Sequence, residues 1–184
     1  MNSTLRITLI ANAGLLVTYE GTTLMIDGIY GRDGHPFSNL SPEVWRAMLR
    51  SEDRFQKVDY LLFTHAHPDH FSPEMTGEFL FHRQVKGLFL PEPHLVSEER
   101  LIETLRGRKA SCVILSDATG HAAYQVEPGI TVRAFRTKHL DRKYWDVPHF
   151  CYILTFGDKT ILLTADMDYT TETLASIQGL PIKA

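Results

Sequence analysis

Between positions 64 and 70 the chain reads Thr-His-Ala-His-Pro-Asp-His. Four side chains able to bind a transition metal, His65, His67, Asp69 and His70, thus fall within six residues. Imidazole nitrogen and carboxylate oxygen are the donors that zinc and its neighbours take. In an extended segment alternate side chains point to one side, so His65 and His67 can both reach one ion at about 2.0–2.1 Å. Pro68 stops the strand from continuing in register, and Asp69 and His70 then turn towards a neighbouring position. A second ion fits there, at the roughly 3.5–4 Å separation of two-metal hydrolases. The competing reading, a surface turn of solvated histidines, suits poorly a segment that follows directly on the apolar run 58–64.

That run is expected to be a buried strand delivering His65 to the site. Further strands are expected at 5–10, 15–19 and 23–27, a meander at a sheet edge, with Ala13-Gly14 and Glu20-Gly21 as turns. Residues 28–40 read as a long loop and a candidate lid carrying His35. Ser41-Pro42-Glu43 and Ser72-Pro73-Glu74 each start a helix, with a serine cap, proline in the first turn and an acid at the positive end. A third helix is expected at 97–105. Strands then recur at 111–115, 122–126, 130–137, 150–156 and 160–164, the last two joined across Gly157-Asp158, before a helix near 170–172. His139 and Asp166 each sit just past a strand end, where sites gather in layered α/β proteins. Taken singly, each reads as well as a turn residue.

The bulk numbers suit a single globular domain spanning 1–184. Hydrophobic residues make up 43% and charged residues 22% of 184, and 19 basic against 22 acidic residues give a formal charge of −3. With no basic run, nucleic acid is not an expected partner. No stretch reaches transmembrane length, the N-terminus does not read as a signal peptide, and a cytoplasmic location is expected. Cys112 and Cys151 read as buried free thiols.

Taken together, these motifs resemble the metallo-β-lactamase fold superfamily. The resemblance rests on the opening strands ending in Met25-Ile26-Asp27-Gly28, the His-x-His-x-Asp-His loop, the isolated His139, and Thr164-Ala165-Asp166. It implies an αββα four-layer sandwich. It implies that His65, His67 and His139 hold one metal, that Asp69 and His70 hold a second, and that Asp166 bridges them. Zinc is the expected ion, with manganese or iron as alternatives. The implied reaction is hydrolysis of a small-molecule ester, lactone, thioester or phosphodiester by metal-activated hydroxide, with Asp69 steering the proton. Asp27 resembles the buried aspartate that supports the histidine loop, though it reads equally as a turn residue before Gly28.

The chain departs from that pattern at its end. The family usually supplies a further histidine beyond the position of Asp166, and here the last histidine is His149. A C-terminally short member is therefore expected, lacking its last strands and helix, with a weaker second metal site. A homodimer covering the short edge is one consequence. The alternative function is a metal-binding domain with little or no turnover, serving as a binding or regulatory module. His149, behind Pro148, reads as a solvent-facing residue at a strand start, with a substrate contact as the alternative. Trp145 and Tyr144 read as packing residues, with an apolar wall for substrate as the alternative.

Overall fold

The computed structural model describes residues 4–31, 36–93, 95–106, 109–116 and 122–178. His35, His94 and His121 lie outside the described residues. The chain forms two compact units, Met1–Val113 and Ile114–Ala184.

The strands β1 (Leu5–Leu9), β2 (Leu15–Tyr19), β3 (Thr22–Ile26), β4 (Tyr60–Leu62) and β5 (Gly87–Pro91) of the first unit, with β6 (Ser111–Leu115), which runs across the boundary at Val113, are hydrogen-bonded in chain order as one six-stranded sheet. The meander β1–β2–β3 is antiparallel, and β3, β4 and β5 run parallel. Every residue of β3, β4 and β5 is buried, as continuous apolar runs in a parallel sheet require. The outer strands are different. Ile7 and Leu9 of β1 are exposed, and Cys112 of β6 is exposed, because an edge strand has a neighbour on one side only. Cys112 is therefore not the buried thiol that its apolar surroundings imply.

Helices α1 (Pro42–Arg50), α2 (Pro73–His82) and α3 (Val96–Leu105) belong to this unit. The two serine caps form as their sequences require: Ser41 Oγ accepts Val44 N–H at 3.3 Å and Ser72 Oγ accepts Met75 N–H at 3.2 Å. Glu98 plays the reciprocal part in α3, accepting Leu95 N–H at 3.3 Å. Arg83, just past α2, ties this layer together by donating to the carbonyls of Met48 and Phe55 at 2.5 and 2.9 Å. Burial lowers the pKa of its guanidinium, so those carbonyls are needed to compensate the desolvated charge.

Strand β4 is three residues long, although the apolar run 58–64 reads as a longer strand. The ladder stops after Phe63 donates to the Phe89 carbonyl. The next amide, that of Thr64, bonds the Asp27 side chain instead of a strand.

The second unit is a four-stranded antiparallel sheet in the order β10–β9–β8–β7, built from β7 (Ala123–Glu127), β8 (Ile130–Thr137), β9 (His149–Phe156) and β10 (Lys159–Leu163). Gly157 supplies the positive φ (60°) for the β9–β10 turn. Phe135, Cys151, Ile153 and Met167 are buried together, with Leu162 against them. Helix α4 (Thr171–Ile177) is capped by Thr170, whose Oγ1 accepts Thr173 N–H at 3.3 Å. Among the described residues no helix is long and apolar enough to cross a membrane.

Two phenylalanines on α2 give a direct check of this packing. Phe79 is fully buried and Phe81 is 78% exposed. Phe79→Ala should cost about 3–5 kcal/mol of stability, and Phe81→Ala less than about 0.5 kcal/mol. Chemical denaturation of both variants checks this; equal costs would mean that α2 packs through another face.

Candidate metal centre

The first unit builds its site around one carboxylate. Asp27 follows β3 with φ of 46°, a left-handed backbone that aspartate tolerates better than most residues. Its neighbour must be glycine: a Cβ at Gly28 would come within 2.6 Å of Met25 Cγ. Asp27 is 2% exposed and accepts three hydrogen bonds. Thr64 N–H donates to Oδ1 at 2.8 Å, Thr64 Oγ1–H to Oδ2 at 2.6 Å, and His70 Nδ1–H to Oδ2 at 2.9 Å.

This arrangement fixes two imidazoles. His70 gives its Nδ1 proton to Asp27, which leaves Nε2 bearing a lone pair 3.6 Å from Asp69 Oδ2. Thr64 spends its hydroxyl proton on Asp27, so it accepts from His65 Nδ1–H at 3.0 Å. His65 Nε2 is left with its lone pair, facing His67 Nδ1 at 3.0 Å. Two imidazole nitrogens this close cannot both present lone pairs to each other; a proton or a cation must lie between them. Two ligands at about 2.0–2.1 Å from one ion stand about 3.0–3.3 Å apart, so the pair fits a metal as it stands. His65 is fully buried, which makes an uncompensated charge there costly and an ordered ligand set worthwhile.

The loop itself is a tight turn, with the amides of His70 and Phe71 both donating to the His67 carbonyl at 2.9 Å. It is pinned to the segment after β3 through Gly31 N–H to the Pro68 carbonyl (2.7 Å) and Ser72 N–H to the Ile29 carbonyl (3.0 Å). Tyr30 lies in that segment, fully buried, its hydroxyl donating to the Ser38 carbonyl at 2.5 Å. Burial, and then the charge of Asp69, push its pKa up to about 12, so it remains a neutral donor.

Asn12 is the residue that the sequence did not disclose. From the β1–β2 turn its Nδ2 donates to the Asp69 carbonyl at 3.0 Å and to Asp69 Oδ2 at 3.4 Å. Its φ is 46°. An Asn-Ala-Gly turn hides such a residue, since asparagine is also an ordinary turn former.

The second unit holds its own donors. β8 runs into His139, which bridges to Met167, while Leu140 N–H donates to the Asp166 carbonyl at 2.7 Å and Asp168 N–H to the Lys138 carbonyl at 2.9 Å. His139 Nε2 stands 3.5 Å from Asp166 Oδ2. Its Nδ1 accepts Asp141 N–H at 3.0 Å, so the ring carries its proton on Nε2. That proton must leave before Nε2 can ligate a metal, whereas His65 and His70 are already set. Asp168 is spent within its own turn, accepting from the hydroxyls of Thr170 and Thr173.

His149 is fully buried, which corrects its reading as a solvent-facing residue. It pairs with Thr137 at the end of the β8–β9 ladder. Its Nδ1 lies 2.7 Å from Thr137 Oγ1, and its ring stands 5.9 Å from that of His139, edge to face. Cys151 Sγ is 3.4 Å from the same hydroxyl and donates to the Thr164 carbonyl at 3.2 Å. Burial pushes the Cys151 thiol up to about 12, so it packs and does not react.

Each unit thus offers a pair of donors of the kinds that could hold a metal ion, His65 and His67 in the first and His139 and Asp166 in the second. No family model matches the chain, and no curated protein matches it. Solved structures do. A Parabacteroides distasonis protein assigned to the metal-dependent hydrolases aligns at 19% identity with a TM-score of 0.61, covering 93% of this chain and 64% of that one. The isothiocyanate hydrolase from Delia radicum gut bacteria aligns at 18% identity and TM-score 0.60, with 94% and 67% covered. CmlA, a diiron β-hydroxylase from Streptomyces venezuelae, aligns at 19% and 0.63, with 100% and 34% covered. The chain thus spans from about one third to two thirds of the length of these proteins. The likeness shows the fold: mixed α/β with two sheets and four helices, of the metallo-β-lactamase type.

Asn12 gives the sharpest check on the site. Asn12→Gly keeps the left-handed turn and removes only the amide, so stability should hold while metal affinity falls about 10–100-fold. Competition against a chromogenic chelator measures it. Unchanged affinity would reduce Asn12 to a turn residue.

Proposed function

We propose that this chain is a metal-dependent hydrolase that acts on an ester, lactone, thioester or phosphodiester and takes two zinc ions. One observation carries the reading. Two imidazole nitrogens are held 3.0 Å apart, and hydrogen bonds running from Asp27 through Thr64 to His65 fix the ring from behind. Such fixed rings are what metal ligands need and what surface histidines lack. In this reading His65, His67 and His139 hold the first ion, Asp69 and His70 the second, and Asp166 serves both. A bound zinc ion supplies Lewis acidity and a nucleophile at neutral pH.

The remaining work falls to the chain's own groups. Asp69, steadied by Asn12, takes up the proton released from the attacking water. Asp27 keeps His70 from turning. Tyr30, neutral through the working range, adds no charge near Asp69. Support for hydrolysis comes from structural neighbours named as hydrolases, and the diiron neighbour makes the metal itself a matter for measurement. Both cysteines are free thiols, which suits the cytoplasm.

Elemental analysis of the purified chain and of a His65→Ala/His67→Ala variant tests the reading. The expected result is zinc in the parent and none in the variant, with metal-dependent hydrolysis of p-nitrophenyl acetate, a γ-lactone, a thioester or bis(p-nitrophenyl) phosphate by the parent alone. Equal metal in both proteins would overturn the assignment.

A further inference from the structure

The segment after β8 carries a feature that metal chemistry leaves unused. Trp145 is 41% exposed, and its Nε1–H donates to the His139 carbonyl at 2.9 Å. That bond fixes the indole beside a proposed ligand. Lys138 Nζ sits 4.5 Å from the indole centroid and Arg142 Cζ 5.3 Å. Both cations are exposed. Among the described residues neither lies within ion-pair distance of a carboxylate, although the chain has more acids than bases. Of the two acids in this segment, Asp141 pairs with Lys143 at 3.0 Å and accepts its backbone N–H at 3.2 Å, and the exposed Asp146 forms an ion pair with neither cation among the described residues. The exposed side chain of Leu140 adds apolar surface, and the Leu140 amide bonds the Asp166 carbonyl.

The Nε1–H bond holds the indole in place, and both cations stand over its ring with no carboxylate partner among the described residues. Stacking on Trp145 orients both charges and lowers the entropy they lose when an anion arrives. Arginine adds a planar fork suited to carboxylate or phosphate oxygens.

We propose that Lys138, Arg142 and Trp145 form a recognition site for a small aryl or acyl anion, the indole and Leu140 covering its apolar part and the two cations holding its charge. On the hydrolase reading, this makes the substrate an anionic ester or phosphoester whose charged group is seated beside His139.

The site is tested without metal, which separates it from that reading. Trp45 is buried and Trp145 exposed, so ligand-induced quenching reports on Trp145. EDTA-treated protein is titrated with phenyl phosphate, benzoate and benzyl alcohol. Saturable quenching by the two anions is expected, with benzyl alcohol binding about tenfold or more weakly, and the ratio of phosphate to benzoate identifies the charged group. Lys138→Gln/Arg142→Gln, both surface changes, should weaken anion binding about tenfold or more and leave benzyl alcohol unaltered. Absence of saturable binding, equal binding of the neutral alcohol, or an unaffected double variant would each overturn the proposal. Anion binding by a chain that carries no zinc would leave it standing while the hydrolase reading fell.

Discussion

Everything in the histidine loop leans on the Asp27 carboxylate. A buried charge is tolerated only when its lone pairs are used, and three hydrogen bonds from Thr64 and His70 use those of Asp27. The cost of burying it and of its left-handed backbone is offset by what it organises. It ends β4, turns the chain into the histidine loop, and sets the proton positions of two imidazoles. Were the carboxylate absent, Thr64 could continue the strand, and His65 and His70 would be free to rotate and to exchange tautomers. A ligand set that must be ordered at the moment of binding holds a metal less tightly than one already in place.

The two units contribute differently. In the first, parallel strands buried on both faces give a rigid floor, and the loop's own amides close its turn. In the second, the donors sit on the extension of an antiparallel ladder, with Asp166 partly exposed and His139 held in the tautomer that must lose a proton before binding. The first unit thus presents His65 and His70 with Nε2 free of a proton, while His67 Nδ1, opposite the His65 lone pair, holds one that an ion must displace. The second presents ligands that respond to one.

Much of this was legible in the residues. Periodicity and turn chemistry gave strands at 15–19, 111–115 and 130–137 with the bounds the structure has, and the serine caps located α1 and α2. The His-x-His-x-Asp-His spacing identified the loop because local spacing alone can bring those groups together. What escaped was set by contacts between distant residues. Asp27 stayed undecided between a support and a turn, since only its three donors tell them apart. Asn12 reaches Asp69 across 57 positions, and nothing in an Asn-Ala-Gly turn announces that. The short 3₁₀ turn Arg142–Tyr144 is too brief for any period to show. His149 was placed towards solvent because a strand start after proline usually is; pairing with Thr137 inside the ladder buried it.

The central claim is that the protein sets its imidazoles before any ion arrives. Long-range 1H–15N correlation spectra of metal-free protein, with assignments made from single-histidine substitutions, read each tautomer directly. His65 and His70 should both appear as the Nδ1–H form with unprotonated Nε2, and both should lose that uniformity in Asp27→Asn. Metal-free protein showing Nε2–H or rapidly exchanging tautomers at these two histidines would contradict the account, because the hydrogen bonds to Asp27 and Thr64 would then not be organising the site.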